Sequence, residues 1–107
     1  MIGSIVRVIV DRPLGSSHPS FPDMCYPINY GFVEDTLAPD GEEQDAYILG
    51  INEPVEQFVG VVIAIVRRIN DVEQKWVVAP KGSIYSKEEV ARTIAFQEQY
   101  FQTEIVM

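Results

Sequence analysis

The chain has 107 residues, the usual size of one domain, and its hydrophobic content of 47% is ordinary for a globular protein. Its single cysteine, Cys25, cannot close a disulfide within the chain, which excludes a disulfide scaffold. Eight basic and sixteen acidic residues give a net charge of −8. A nucleic-acid binder needs a basic surface to displace counterions, so this class is also disfavoured. We therefore predict one domain over residues 1–107.

The apolar segments are too short to span a membrane. The longest, Val59 to Val66, is interrupted at Arg67, whereas a transmembrane helix needs about 20 apolar residues. The first residues, Ile2 to Ile5, lack the basic region and apolar core of a signal peptide. With the lone cysteine, these features predict a cytoplasmic protein that has no membrane partner.

The first third of the chain predicts two strands joined by a long loop. Ile5 to Val10 is rich in β-branched residues and ends just before Pro13, which cannot donate a ladder hydrogen bond. Repeated proline, glycine and serine residues then make regular structure unfavourable until Asn29. A loop of this length in a small domain is often functional. The next predicted strand is Asn29 to Val33.

Three further strands and one helix follow. The strands are predicted at Gln44 to Leu49, at Phe58 to Ile69, with a bend or bulge at Gly60, and at Lys75 to Ala79. Ser86 and Glu89 have the spacing of a capping box, which starts a helix expected to reach about Phe101. An apolar stripe of this helix would pack on the sheet, and it contains Val90, Ile94 and Phe101.

This element order predicts a mainly β fold. About five strands that curl, followed by one helix, favour a closed five-stranded barrel of OB type over a parallel α/β sheet. The C-terminal helix is expected to pack on the outside of this barrel.

Carboxylates are concentrated in two segments. Four lie between Asp40 and Asp45, on a turn and the start of a strand. In the second segment, residues two apart share a strand face, so Asp71, Glu73 and Lys75 project together if the hairpin runs through them. Mg²⁺ binds through one or two carboxylates and substrate phosphates. An isolated acidic turn is more often only solvated, but two such turns together with phosphate-binding side chains favour a metal site.

Four side chains outside the acidic turns are suited to phosphate. They are Arg12, at the end of the first strand, Lys75, and the phenols of Tyr30 and Tyr100. The planar guanidinium of arginine matches two phosphate oxygens at once, whereas lysine acts as a point charge. The sequence therefore predicts a small anionic phosphate as the partner, with Arg12 as the strongest candidate to hold it.

Structural alternatives remain open for these side chains. Arg12 could instead pair locally with Asp11 or Asp35, and the tyrosines could be partly buried rings with solvated hydroxyls. Adjacent strand residues point to opposite faces, so at most one of Arg67 and Arg68 can serve the site.

Two loop residues are assigned no chemistry. The single histidine, His18, has no neighbouring serine or cysteine with which to form a catalytic triad and is expected at the surface. Cys25 has no second cysteine or histidine at metal-binding spacing, so a buried free thiol is expected.

The segments Tyr26–Val33 (Tyr-Pro-Ile-Asn-Tyr-Gly-Phe-Val) and Asp40–Asp45 (Asp-Gly-Glu-Glu-Gln-Asp) closely resemble the signature of the soluble family I inorganic pyrophosphatases. The segment Val10-Asp11-Arg12, the acidic hairpin ending at Lys75 and the element from Phe96 to Tyr100 fall in the family's order. The resemblance implies a five-stranded OB-type barrel with the active site at its mouth. It also implies hydrolysis of pyrophosphate, or of a related small phosphoanhydride, with two or more Mg²⁺ ions, for which Mn²⁺ can substitute, and homo-oligomers are common in the family.

Carried over residue by residue, the resemblance implies a complete site. The implied metal ligands are Asp40, Asp45, Asp71 and Glu73. Glu42 would be the base that helps to activate water. The phosphates would be held by Arg12, Tyr30, Lys75 and Tyr100.

The sequence also departs from the family pattern. Glu42 and Glu73 each replace a shorter aspartate, Glu43 replaces the turn proline, and Phe101 stands where the family has a phosphate-binding lysine. A base displaced by about 1 Å can lose on the order of a hundredfold in rate. The alternative prediction is therefore a non-catalytic barrel that binds phosphate, a nucleotide or a metal ion.

Overall fold

The computed structural model describes all residues, 1–107. It contains six strands and one helix: β1 Ile5–Arg12, β2 Asn29–Val33, β3 Gln44–Ile48, β4 Gln57–Arg68, β5 Gln74–Ala79, α1 Lys87–Glu98 and β6 Thr103–Val106. The predicted strands agree with β1 to β5 to within two residues at each end. No helix is long and apolar enough to cross a membrane.

The first five strands form a closed barrel. The sheet order is β1-β2-β3-β5-β4-β6, and pairing of β1 with β4 closes the ring. All neighbours are antiparallel except β3 and β5, which run parallel. The predicted mainly β barrel with one helix outside is confirmed. The sequence analysis did not predict β6, which extends the sheet beyond the ring by pairing with the end of β4.

Two apolar clusters show which strand faces point inward. The smaller cluster takes buried residues from all five ring strands and fills the barrel: Val8, Val33, Ala46, Ile48, Val62 and Val78. The larger cluster lies between the outer wall and the helix, where Tyr47, Val66 and Val77 pack with Val90 and Ile94. The alternate residues of β2, β3 and β5 therefore face outward, toward the helix and the long loop.

The helix is shorter than predicted. Ser86 caps it with the predicted capping box, but it ends at Glu98. Phe101 follows in a turn and is partly exposed, so the expected apolar stripe stops at Ile94. One turn further along the same face, the buried residue is Glu98.

Bulges and one close approach shape the barrel wall. The β4–β5 register shifts between Val62 and Ala64, beyond the predicted bend at Gly60. The β1–β2 register shifts between Val10 and Arg12, which leaves Asp11 as the extra residue. At Gly31, an added Cβ would lie 1.9 Å from the carbonyl oxygen of Ile9. The wall therefore admits only glycine in the middle of β2.

Candidate functional site

A cleft of about 1150 Å³ lies against the outer face of the barrel wall. Its floor includes Tyr30, Asp45 and Lys75, from β2, β3 and β5. The sides come from the end of β1, from the loop over residues 18–26 and from the C-terminal end of α1. This cleft therefore lies beside the barrel wall, whereas the family resemblance implies an active site at the mouth.

Lys75 is the centre of the cleft floor. It is only 4% exposed, and its Nζ lies 2.9 Å from the Tyr30 hydroxyl, 2.7 Å from Asp45 Oδ2 and 2.6 Å from Glu73 Oε1. Burial alone would lower the pKa of Lys75, but Tyr30, Asp45 and Glu73 together outweigh it and raise that pKa. An ammonium has three N–H groups, so all three are used in these hydrogen bonds.

Strand register brings three of these residues together, and Glu73 immediately precedes β5. Asp45 is paired with Lys75 in the parallel β3–β5 ladder, and Tyr30 is paired with Tyr47, two residues beyond Asp45 on the same face. Desolvation raises the pKa of Tyr30, so its phenol stays protonated at neutral pH. The hydroxyl accepts its bond from Lys75, and a hydrogen bond to Asp45 adds to its raised pKa, so a ligand at this point competes with Asp45 for the hydroxyl proton.

The bulge at the end of β1 places Asp11 and Arg12 on the same cleft wall. Arg12 Nη1 donates to the carbonyl oxygen of Asp11 at 3.0 Å, and no carboxylate forms an ion pair with Arg12. The alternative of a local pair with Asp11 or Asp35 is therefore absent. Desolvation raises the pKa of Asp11, although the charge of Arg12 opposes this shift.

A second buried charge network adjoins the cleft at the end of the helix. Glu98, only 4% exposed, accepts hydrogen bonds from Arg68 Nε at 3.2 Å and Arg68 Nη2 at 3.0 Å, and from the Tyr47 hydroxyl. The guanidinium carbon of Arg68 lies 3.6 Å from the centroid of the Phe101 ring. Burial would lower the pKa of Arg68, but Glu98 raises it overall.

Sequence reasoning only partly anticipated this network. Arg68 lines the cleft while Arg67 is exposed, so only one of the two faces it, as strand alternation predicts. Glu98 was missed, although its position four residues after Ile94 on the helix was the available signal.

The other predicted site residues lie away from the floor. Asp40 and Glu42 are on an exposed turn, where Asp40 Oδ1 accepts from the Glu42 amide at 3.0 Å. Asp71 is exposed, accepts from the Glu73 amide at 3.3 Å and lines a separate hollow of about 360 Å³. Of these, none borders the main cleft. Tyr100 does border it, at the rim, with 71% of its surface exposed.

Two loop residues differ from expectation. Cys25 is exposed rather than buried, and it forms an isolated bridge with Ser17. His18 is partly buried rather than fully at the surface, and it lines the cleft.

Only two of the candidate metal ligands, Asp45 and Glu73, lie close to each other. No group of three or more aspartate, glutamate, histidine or cysteine side chains is arranged to hold a metal ion. Asp45 and Glu73 nevertheless converge on Lys75, and each uses only one oxygen for that contact, Asp45 Oδ2 and Glu73 Oε1. Two carboxylates supplemented by phosphate oxygens and waters form a donor set that fits Mg²⁺.

Comparison with known proteins supplies the family context. The family model described as inorganic pyrophosphatase matches residues 7–95. The fold is similar to that of an inorganic pyrophosphatase from Coxiella burnetii, with a TM-score of 0.70 and 20% identity over 98% of this chain and 85% of that chain. It is also similar to the enzyme from Ehrlichia chaffeensis, with a TM-score of 0.70 and 17% identity over 97% and 85% of the two chains. For the enzyme from Neisseria gonorrhoeae the TM-score is 0.67, with 21% identity over 92% and 74%.

Proposed function

Because the chain belongs to the inorganic pyrophosphatase family, we propose that it hydrolyses inorganic pyrophosphate to phosphate in the cleft beside the barrel wall. The observation that carries this proposal is the buried Lys75 network, in which Tyr30, Asp45 and Glu73 meet on one ammonium. Arg12 lines the same cleft with its charge unpaired.

The proposed roles follow from which donors are uncommitted. Arg12 binds phosphate oxygens with its planar guanidinium, and Tyr30 donates its hydroxyl proton. Lys75 contributes its charge to the cleft and holds the two carboxylates in place, since its three N–H groups are engaged. Tyr100, at the rim, is proposed to contact the outer phosphate.

The charge of the cleft supports a requirement for Mg²⁺. The carboxylates that line it or pair with its cations number five, against three cationic side chains. They are Asp11, Asp23, Asp45, Glu73 and Glu98, against Arg12, Arg68 and Lys75. Pyrophosphate adds further negative charge, so a divalent cation is needed to balance it.

We propose that Asp45 and Glu73 hold the Mg²⁺, with Mn²⁺ as a substitute, while Asp40 and Asp71 remain proposed ligands of any additional ion. When bound, the metal ion neutralises charge on the phosphates and lowers the pKa of water. The side chains of the cleft position the substrate and exchange protons with it.

Phosphate release from pyrophosphate, measured with and without Mg²⁺, tests this function. Wild type should turn over only with the metal ion. Asp45→Asn should lose on the order of a hundredfold in kcat, because it disturbs both the proposed ligand and the placement of Lys75. Glu43→Gln is the matched control: it removes an exposed carboxylate just before β3, and it should retain wild-type turnover.

A non-catalytic phosphate- or metal-binding barrel is the second candidate. It is favoured by the separation of Asp40, Glu42 and Asp71 from the cleft. If the protein binds phosphate but releases none from pyrophosphate with any divalent metal ion tested, this second function replaces the first.

Location and assembly are also proposals. A reducing cytoplasm suits the exposed, free thiol of Cys25. Ile5 and Val59 are exposed on the adjacent strands β1 and β4, and self-association through this apolar wall would cover them.

A further inference from the structure

His18 is the one histidine of the chain, and nothing in the proposed catalysis uses it. Its side chain lines the same cleft as Arg12, Tyr30 and Lys75. It belongs to the proline-rich loop that forms one side of that cleft, so its position there depends on the conformation of this loop.

Two aromatic rings lie close to the imidazole ring of His18. The ring is nearly parallel to that of Tyr26, with 10° between the planes and 6.2 Å between centroids, and the Phe21 ring centroid is 5.1 Å away. Tyr26 in turn stacks on Tyr30 at 5.6 Å. A row of rings therefore connects His18 to the cleft floor, and this packing limits the rotation of the imidazole before any ligand arrives.

A backbone hydrogen bond also fixes the tautomer of His18. The amide of Ser20 donates to Nδ1 at 3.0 Å, so the proton of the neutral ring must be on Nε2. Nε2 has no partner in the chain, and the only buried side-chain polar atom without one is Trp76 Nε1. Nε2–H is therefore a solvated and uncommitted donor.

Few other donors of the cleft are free to bind an anion. The three N–H groups of Lys75 are taken, and Arg68 directs Nε and Nη2 to Glu98. On the strand side of the cleft, the donors that remain are the guanidinium of Arg12 and the hydroxyl of Tyr30. Ser20, Arg68 Nη1 and Gln97 offer further O–H or N–H groups around it. A ligand with several phosphate oxygens can use more donors than Arg12 and Tyr30 supply, and His18 is one of the groups placed to add one.

We propose that His18 is a ligand-binding residue whose Nε2–H donates a hydrogen bond to a phosphate group held in the cleft. This inference rests on the proposed function only in taking phosphate as the ligand. It concerns binding, so it can stand even if the protein does not hydrolyse pyrophosphate.

Two amide substitutions separate ligand binding from loop structure. In His18→Asn, the side-chain oxygen can replace Nδ1 as acceptor for the Ser20 amide, but no donor reaches the position of Nε2. In His18→Gln, the amide nitrogen can reach the position of Nε2. The probe is imidodiphosphate, a pyrophosphate analogue with a nitrogen bridge, titrated calorimetrically in the presence of Mg²⁺.

We expect His18→Asn to raise the Kd for imidodiphosphate by about tenfold or more, the value of a lost hydrogen bond to a charged group. His18→Gln should remain within about threefold of wild type. Wild-type affinity in His18→Asn overturns the proposal, as does equal weakening in both variants, which would assign the effect to the aromatic packing of the ring.

A measurement on the wild-type protein avoids any effect of substitution on folding. Since the chain has one histidine, the ring nitrogen signals in an NMR spectrum need no further assignment. The free protein should show the Nε2–H tautomer, and the Nε2 signal should shift as imidodiphosphate is added. Binding of imidodiphosphate that leaves this signal unmoved overturns the proposal.

The enzymatic assay distinguishes the two proposals from each other. If imidodiphosphate moves the His18 signal but pyrophosphate is not hydrolysed, the ligand-binding role stands and the catalytic function fails. If pyrophosphate is hydrolysed and His18→Asn has an unchanged KM and an unchanged Kd for imidodiphosphate, the catalytic function stands and the role of His18 fails.

Discussion

Asp11 owes its place in the cleft to a single extra residue in β1. Because the bulge leaves Asp11 unpaired in the ladder, its side chain can share the cleft wall with that of Arg12. Asp11 is exposed at this wall, but partial desolvation raises the pKa of its carboxyl, which makes it a better proton acceptor near neutral pH than an aspartate free in solution. Glu42, the base implied by the family resemblance, lies on the exposed turn outside the cleft.

Substitution of the two candidate bases compares these positions directly. We expect Asp11→Asn to lower kcat for pyrophosphate by about a hundredfold or more, the usual contribution of a general base. Glu42→Gln should lower it less. In wild type, activity should fall as the pH decreases toward the raised pKa of Asp11, and Asp11→Asn should remove this acidic limb from the kcat profile.

The reverse order, with the larger loss in Glu42→Gln, would support the base implied by the family resemblance. It would mean that the exposed turn closes over the substrate.

At the scale of elements, α1 is attached to the barrel by a buried ion pair as well as by apolar contacts. Val90 and Ile94 pack on the wall, and Glu98 continues the same face with bonds to Arg68 and Tyr47. The side chains of Arg68 and Glu98 are almost wholly shielded from water. Removing one charge therefore leaves the other poorly solvated.

Glu98→Gln tests how strongly this pair anchors the helix. We expect the free energy of unfolding, measured by urea denaturation, to fall by about 3 kcal/mol, because the Arg68 charge loses its buried partner. Glu34→Gln is the control. Its pair with Arg7, at 4.0 Å, is about half exposed, and the loss there should be less than about 1 kcal/mol. Similar losses in both variants would show that the buried pair does not anchor the helix.

The elements predicted well from sequence are those whose local signal is strong. The β-branched runs predicted β1 to β5, and the Ser86 capping box predicted the start of α1. β6 was missed because a four-residue strand carries little periodicity and is specified by its partner β4. The end of α1 was predicted too late because Phe101 fits the apolar spacing of the helix. In the structure the helix ends at Glu98, and this buried charge occupies the apolar face instead.

The site was predicted only in part, because its contacts depend on the whole fold. Tyr30, Asp45, Glu73 and Lys75 were all candidates, but their meeting on one Nζ requires three strands in the correct register. The Tyr30–Lys75 contact joins residues 45 apart in sequence, and the Tyr47–Glu98 contact joins residues 51 apart. Neither periodicity nor local charge specifies such pairs. For the same reason, the separation of Asp40 and Asp71 from the cleft could not be predicted from the sequence.

Three buried proton-binding groups make the stability of the whole molecule sensitive to alkaline pH. The pKa values of Lys75, Tyr30 and Tyr47 are raised above the ordinary 10.5 for lysine and 10.0 for tyrosine. Burial raises the pKa of both tyrosines. For Lys75, the three hydrogen-bond partners raise the pKa by more than burial lowers it. The unfolded chain releases these protons at the ordinary values while the folded chain retains them. Their contribution is therefore complete below about pH 10 and is lost as the pH rises further.

We expect the urea midpoint to be steady up to about pH 10 and to fall above it. Each retained proton contributes a slope of about 1.4 kcal/mol per pH unit in the free energy of unfolding. Tyr47→Phe should reduce this slope by the contribution of one proton. Tyr100→Phe, which alters an exposed ring, should leave the slope unchanged. A midpoint that is flat well above pH 10 would contradict the retention of these protons.

The parallel β3–β5 ladder has a consequence for how this chain can change in length. Asp45 lies opposite Lys75, and side chains alternate between the two faces of the wall. A slip of β5 by one position would turn the ammonium toward the apolar barrel interior and bring Trp76 or Gln74 to the cleft. Residues can therefore be inserted between β3 and β5 only within the turns. A lengthened or shortened variant must keep Asp45 opposite Lys75.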